Sequence, residues 1–133
     1  MNQAFAWAPA FKEYFAVKAL PNPAILRILM EEGCGLDCSS ETELLLAKRI
    51  GAEGKDIMFS ANAMPPHEFA LAREMSATIN LDDPSDIDTL AQNGGIPEVI
   101  SLRINPGPTL HGGKGNVFMG SPQESKFGWM PRD

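Results

Sequence analysis

A lysine closes one of the most strand-like runs in the chain, Glu13-Tyr14-Phe15-Ala16-Val17-Lys18-Ala19. Aromatic and β-branched residues crowd this run, which predicts a strand. Tyr14, Ala16 and Lys18 then share one face, and Phe15 and Val17 the other. Both faces are apolar until Lys18, the pattern of a parallel strand covered on both sides. An ammonium group is costly in such surroundings, and desolvation favours the neutral amine, a nucleophile suited to Schiff-base chemistry. The competing reading is that Lys18 snorkels into solvent, as most lysines do. Other reactive residue types point nowhere so specific. Cys34 and Cys38 are four apart, with no second pair and no histidine at ligand spacing, so neither a disulfide framework nor a zinc site is expected. Buried, reduced thiols in a cytoplasmic protein are the expectation. His111 lies in a glycine- and proline-rich stretch, where a lone histidine is most often a solvated bystander.

The elements that must position Lys18 follow one another regularly. Residues 1–12 read as the end of a helix interrupted by Pro9. After Lys18, Leu20-Pro21-Asn22-Pro23 is a turn into a helix bearing Ile25, Leu26, Ile28 and Leu29 and stopped by Gly33. Gly35–Cys38 is a short second strand. Ser40-Glu41-Thr42-Glu43 matches a capping box, opening a helix whose Leu44, Leu45 and Ala47 should face inward. Asp56–Ala61, Ala77–Leu81 and Val99–Ile104 are the third to fifth strands, the last the most β-like. Between them lie helices opened by Pro65-Pro66 and by Asp83-Pro84-Ser85. The strands recur about every 21 residues, one strand plus one helix plus two short loops. Such alternation without hairpin signals means parallel strands with helices outside. No Gly-x-Gly-x-x-Gly follows the first strand, which counts against a dinucleotide fold, and the even step favours a (β/α)₈ barrel over an open doubly wound sheet. Five units cannot close an eight-strand barrel. Residues 106–125 then break the rhythm with a long glycine-rich loop, of a kind that is usually functional or disordered.

Composition bounds the partners. The chain has 133 residues, enough for one domain or part of one, with 44% apolar residues and seven methionines to fill core gaps. A net charge of -6 argues against a nucleic-acid partner held through phosphates. No apolar run approaches the ~20 residues that span a bilayer, and Met1–Trp7 lacks the basic region of a secretory signal.

Several of these segments occur together in one family. Phe15-Ala16-Val17-Lys18-Ala19 resembles the Tyr/Phe-Ala-Val-Lys-Ala motif of the fold-type III, pyridoxal phosphate-dependent amino-acid decarboxylases. Gly35–Ser40 with Thr42-Glu43-Leu44, Ile57–Asn62, Ile79–Asp82, Leu102–Gly107 and Ser125–Gly128 resemble that family's later motifs, in order and at plausible spacing. The pair Arg103-Ile104-Asn105-Pro106 and Ser125-Lys126-Phe127-Gly128 is similar to the diaminopimelate decarboxylases, while Gly115–Pro122 resembles a divergent branch. The alternatives are another substrate (ornithine, arginine or carboxynorspermidine) or a non-catalytic pyridoxal phosphate-binding barrel module.

The resemblance implies an α/β fold: about five parallel βα units of a TIM-like (β/α)₈ barrel, the cofactor domain of the alanine racemase-like fold. It implies pyridoxal 5'-phosphate as cofactor, Lys18 as its Schiff-base lysine and a small amino acid, meso-diaminopimelate, as the substrate decarboxylated to L-lysine. Ala16 would sit against the ring, Asp37 beside the Schiff base, and Arg103 toward the phenolic side. Glu43 would only close its capping box, and Lys126 would line the mouth of the site or face solvent. The family's stacking histidine, its phosphate-binding glycine loop, its pyridine-nitrogen glutamate and its β-rich second domain have no counterpart in these 133 residues. Residues 1–133 therefore read as an incomplete barrel domain, about a third of a decarboxylase that is a homodimer when whole. Alone it is expected to be marginally stable and inactive.

Overall fold

The computed structural model describes residues 2–60, 62–105 and 127–130. Five strands, β1 (Tyr14–Ala16), β2 (Gly35–Cys38), β3 (Ile57–Ser60), β4 (Thr78–Leu81) and β5 (Ser101–Leu102), form one parallel sheet in the order of the sequence. The helices α1 (Pro23–Glu31), α2 (Glu41–Arg49), α3 (Pro66–Glu74) and α4 (Asp86–Gln92) each lie between two consecutive strands. A strand order that never reverses has no topological switch point, so the arrangement is an arc of a (β/α)₈ barrel rather than a doubly wound sheet.

Local chemistry sets the helix starts. Asn22 caps α1, its Oδ1 accepting from the backbone amides of Ala24 and Ile25 at 3.0 and 3.3 Å, with Pro23 in the first turn. Ser40 caps α2 by accepting from the Glu43 amide. The reciprocal half of the capping box is displaced by one residue: the Glu43 carboxylate accepts from the Ser39 amide at 2.8 Å rather than from that of Ser40. The buried Glu68 of α3 adds a cap from outside, its Oε1 accepting from the Glu41 amide at 2.9 Å.

The core lies between sheet and helices. Leu36, Cys38, Ile57, Phe59, Ile79 and Leu81 point outward from the arc and are fully buried against Leu26, Leu44, Ala47, Phe69, Ala72 and Leu90 of the helices. The alternate residues, Asp37, Met58, Ser60, Thr78 and Asn80, are only half-buried on the inner face. Gly35 is dictated by its neighbour, because a Cβ there would lie 2.5 Å from the ring of Tyr14, its register partner. Tyr14 in turn donates its hydroxyl to the Lys55 carbonyl at 2.7 Å, tying β1 to the start of β3.

Four expectations need correction. Residues 1–12 carry a single 3₁₀ turn, Asn2–Phe5, and no longer helix; the Phe5 ring folds back to stack on Phe11 at 4.2 Å. β1 ends at Ala16, and Val17–Ala19 is a 3₁₀ turn in which Val17 is fully buried and Lys18 exposed. Leu45 is exposed, because the inward stripe of α2 runs through Leu44 and Ala47, three positions apart. β5 spans two residues and, among the described residues, pairs only with β4; beyond it Ile104 makes an isolated parallel bridge with Trp129. Val99, Leu102 and Ile104 stand exposed along this edge.

Candidate functional site

Parallel strands aim all their C-terminal ends at one rim, and in barrels that rim carries the chemistry. Here the rim encloses a recess of about 460 Å³, lined by Lys18, Asp37, Ser60, Asn62, Asn80, Arg103 and Phe127. Each strand contributes. Lys18 follows β1 by two residues, Asp37 lies in β2, Ser60 ends β3, Asn80 lies in β4 and Arg103 follows β5. The alternation of strand side chains puts these polar groups on the inner face while their neighbours fill the core.

Lys18, Asp37 and Arg103 are thus brought together around one recess. Lys18 is exposed, not buried at a strand end, because the 3₁₀ turn lifts it over the recess. Ala16 is the register partner of Asp37 on the same face and is not among the residues that line the recess. Lys126 and His111 lie outside the described residues. The sequence reading missed Ser60, Asn62, Asn80 and Phe127 as recess residues. The signal was present in the alternations Met58/Ser60 and Thr78/Asn80, in which the inner positions turn polar toward the strand ends.

Asp37 is the most unusual group. Its Oδ1 is buried and has no hydrogen-bond partner among the described residues. Burial pushes its carboxyl pKa upward; Ser60, as a hydrogen-bond donor, and the positive charge of Lys18 oppose the rise, Glu43 adds to it and Arg103 opposes it. Glu43 therefore does more than cap α2: it sets a second negative charge behind Asp37. Arg103 is held from two sides. Its Nη1 donates to Oδ1 of the buried Asp82 at 3.1 Å, and its guanidinium lies 4.5 Å from the centre of the Phe127 ring. Gly128 makes the close return of this segment possible: its φ is +81°, and a Cβ would lie 2.9 Å from the Asn105 amide nitrogen.

Cys34 is half-buried and Cys38 is buried; the Cys38 thiol is pushed up to about 12 by burial and by the charges of Glu43 and Asp37. Among the described residues no cluster of histidine, cysteine, aspartate or glutamate could hold a metal ion, and no helix is long and apolar enough to cross a membrane. A second recess, of about 580 Å³, lies at the opposite ends of β3 and β4 and is lined by residues 51–56 and 74–76 with Lys48. Its main side-chain feature is the exposed Lys48–Glu74 ion pair, so it brings no reactive groups together.

An exposed amine and a carboxyl group with one buried oxygen, without a donor among the described residues, line one recess. That pair fits a carbonyl compound bound through the amine and bringing a positive charge to the carboxylate. The profile of the pyridoxal-dependent decarboxylase family, pyridoxal binding domain, matches residues 1–133. The chain is 44% identical over 126 residues, 95% of its length, to Protein TabA of Pseudomonas amygdali pv. tabaci, and spans 28% of that protein. It is 32% identical over 123 residues, 92% of its length, to the diaminopimelate decarboxylase of Methanothermobacter thermautotrophicus, again spanning 28% of the relative. Among solved structures, the M. jannaschii diaminopimelate decarboxylase in co-complex with L-lysine superposes with a TM-score of 0.79 at 29% identity. That match covers 98% of this chain and 32% of the other.

Proposed function

This chain belongs to the pyridoxal-dependent decarboxylases, and from that membership we propose that it carries the cofactor's covalent anchor, Lys18, in an enzyme converting meso-diaminopimelate to L-lysine and CO₂. The observation that carries the reading is the shared recess of Lys18 and the unpartnered Oδ1 of Asp37 at the C-terminal rim of the strands. Bound pyridoxal phosphate supplies the conjugated ring that accepts the electron pair left behind as CO₂ departs. The chain's own residues hold and orient. Lys18 reaches the recess from its 3₁₀ turn, exposed enough to meet an incoming carbonyl. The buried Asp37 oxygen accepts from a protonated nitrogen, an interaction strengthened by its removal from water. Arg103, fixed by Asp82 and Phe127, sets positive charge on the wall opposite Lys18, where an anionic oxygen of cofactor or substrate is oriented. Ala16, small and level with Asp37, leaves room for a ring. Residues 1–133 are, in this reading, part of the cofactor-binding barrel of a larger protein.

A second reading keeps the cofactor and changes the amino acid. It stays open because the chain is 44% identical to Protein TabA, whose name states no substrate, and 32% identical to a diaminopimelate decarboxylase.

The test is titration of the purified chain with pyridoxal phosphate, borohydride reduction and peptide mass mapping. A pyridoxyl label concentrated on Lys18 and lost in Lys18→Arg is the expected result. Labels scattered over surface lysines overturn the assignment. Carbon dioxide release by the intact protein from diaminopimelate, compared with ornithine and arginine, decides between the two substrate readings.

A further inference from the structure

Three neutral side chains of the inner face form a row that the proposed chemistry does not yet use. Ser60 and Asn80 are register partners across β3 and β4, and Asn80 and Ser101 across β4 and β5. Their side chains are joined: the Ser101 hydroxyl donates to Asn80 Oδ1 at 2.8 Å, and Asn80 Nδ2 donates to the Ser60 oxygen at 3.1 Å. The row has a direction. A serine hydroxyl has one hydrogen, and Ser60 accepts from Asn80, so its own hydrogen is free to point the other way. Asp37, one strand over and two residues lower in the register, lies on that side. With the Asn80 amide reversed, the Ser60 hydrogen would go to Asn80 and Asp37 would lose its donor.

We propose that Ser60, Asn80 and Ser101 are positioning residues: the row turns the Ser60 hydroxyl onto Asp37, fixes where that carboxylate's charge sits, and leaves Oδ1 for a donor entering from the recess. The inference deepens, and rests on, the reading of Lys18 and Asp37 as cofactor-facing groups. Physically, a half-buried carboxylate with Glu43 behind it is pulled toward its protonated form, in which it no longer offers full negative charge to a cation. The Ser60 donor counters that pull, alongside the charges of Lys18 above it and Arg103 across the recess. Because hydrogen bonds in a row polarise one another, the effect extends to residues that never touch Asp37.

The sign of a distant substitution tests this directly. The carboxyl carbon of Asp37 is followed by NMR against pH in the cofactor-free chain, with amide spectra to verify the fold of each variant. Ser60→Ala should shift the Asp37 titration upward, with several-fold tighter proton binding, and Ser60→Thr should restore it. Asn80→Ala should shift it in the same direction by less, and Ser101→Ala, at the far end and least demanding of the fold, by less again. An unchanged Asp37 titration in Ser60→Ala, or a downward shift in Asn80→Ala or Ser101→Ala, overturns the proposal. The downward shift is what the reversed amide requires, since loss of Asn80 would then release the Ser60 hydrogen to Asp37. Labelling at Lys18 is read separately, so failure of the row and failure of the cofactor assignment are told apart.

Discussion

The two faces of the sheet are built from the same short strands and differ in almost every physical respect. Outward, Leu36, Cys38, Ile57, Phe59, Ile79 and Leu81 are fully buried beneath helices. Inward, Asp37, Ser60 and Asn80 are half-buried and open to a recess, and a side-chain hydrogen bond joins Ser60 and Asn80. Adjacent residues in one strand thus serve opposite ends: one excludes water to hold the fold, the next keeps polar groups where a ligand meets them. Stability should be concentrated on the outer face and chemistry on the inner one.

Phe59→Ala is the strongest way to break that division. It removes a large, fully buried ring from the middle of the core, and about 3–5 kcal/mol of stability should be lost. Urea unfolding reads the loss, and a chain that keeps its midpoint would show that the outer face does not carry the fold. Domains are stable by only ~5–15 kcal/mol, so this one change approaches unfolding.

The cysteines sharpen the same contrast by reactivity. Only the thiolate attacks, and Cys38, with its pKa raised to about 12 on the outer face, has almost none at pH 8. Iodoacetamide should label the half-buried Cys34 first and Cys38 on the order of a hundredfold more slowly. Equal rates would mean that the outer face opens readily.

The smallest effect belongs to the inner face and has the opposite sign. Burial raises the folded-state pKa of Asp37 above its ordinary 3.8, so the folded chain binds this proton more tightly than the unfolded chain. Stability therefore falls as pH rises from 3.8 through the folded value, and the full penalty is present at pH 7. Asp37→Asn should raise the melting temperature at pH 7 by a few degrees and leave it unchanged near pH 3, while weakening selective labelling of Lys18. Thermal unfolding at the two pH values checks it. A residue that costs stability where it serves a site is a familiar compromise.

Much of this division was legible in the residues. The regular recurrence of apolar runs and turn residues gave five strands and four helices, and Asn22-Pro23 and Ser40 marked two helix starts by local chemistry alone. The run around Lys18, with Asp37 and Arg103, named three residues that line one recess. The misses share a cause. β5 was over-read because Val99–Ile104 has high β propensity, and propensity does not supply a second neighbour to pair with. Lys18 was placed in a strand because the run is apolar, yet β1 ends at Ala16 and Val17–Ala19 form a 3₁₀ turn.

What the sequence determined by itself is what depends on near neighbours: the strand–helix period, the helix caps, the alternation that makes one face apolar and the next polar. Only the tertiary structure decided which polar residues meet. Lys18 and Arg103 are 85 positions apart in the chain. They line one recess because parallel pairing in sequence order brings every strand's C-terminal end to the same rim. The burial that raises the Asp37 pKa, the lone oxygen left without a donor and the row from Ser101 to Ser60 are sums over four strands, and no local pattern encodes them.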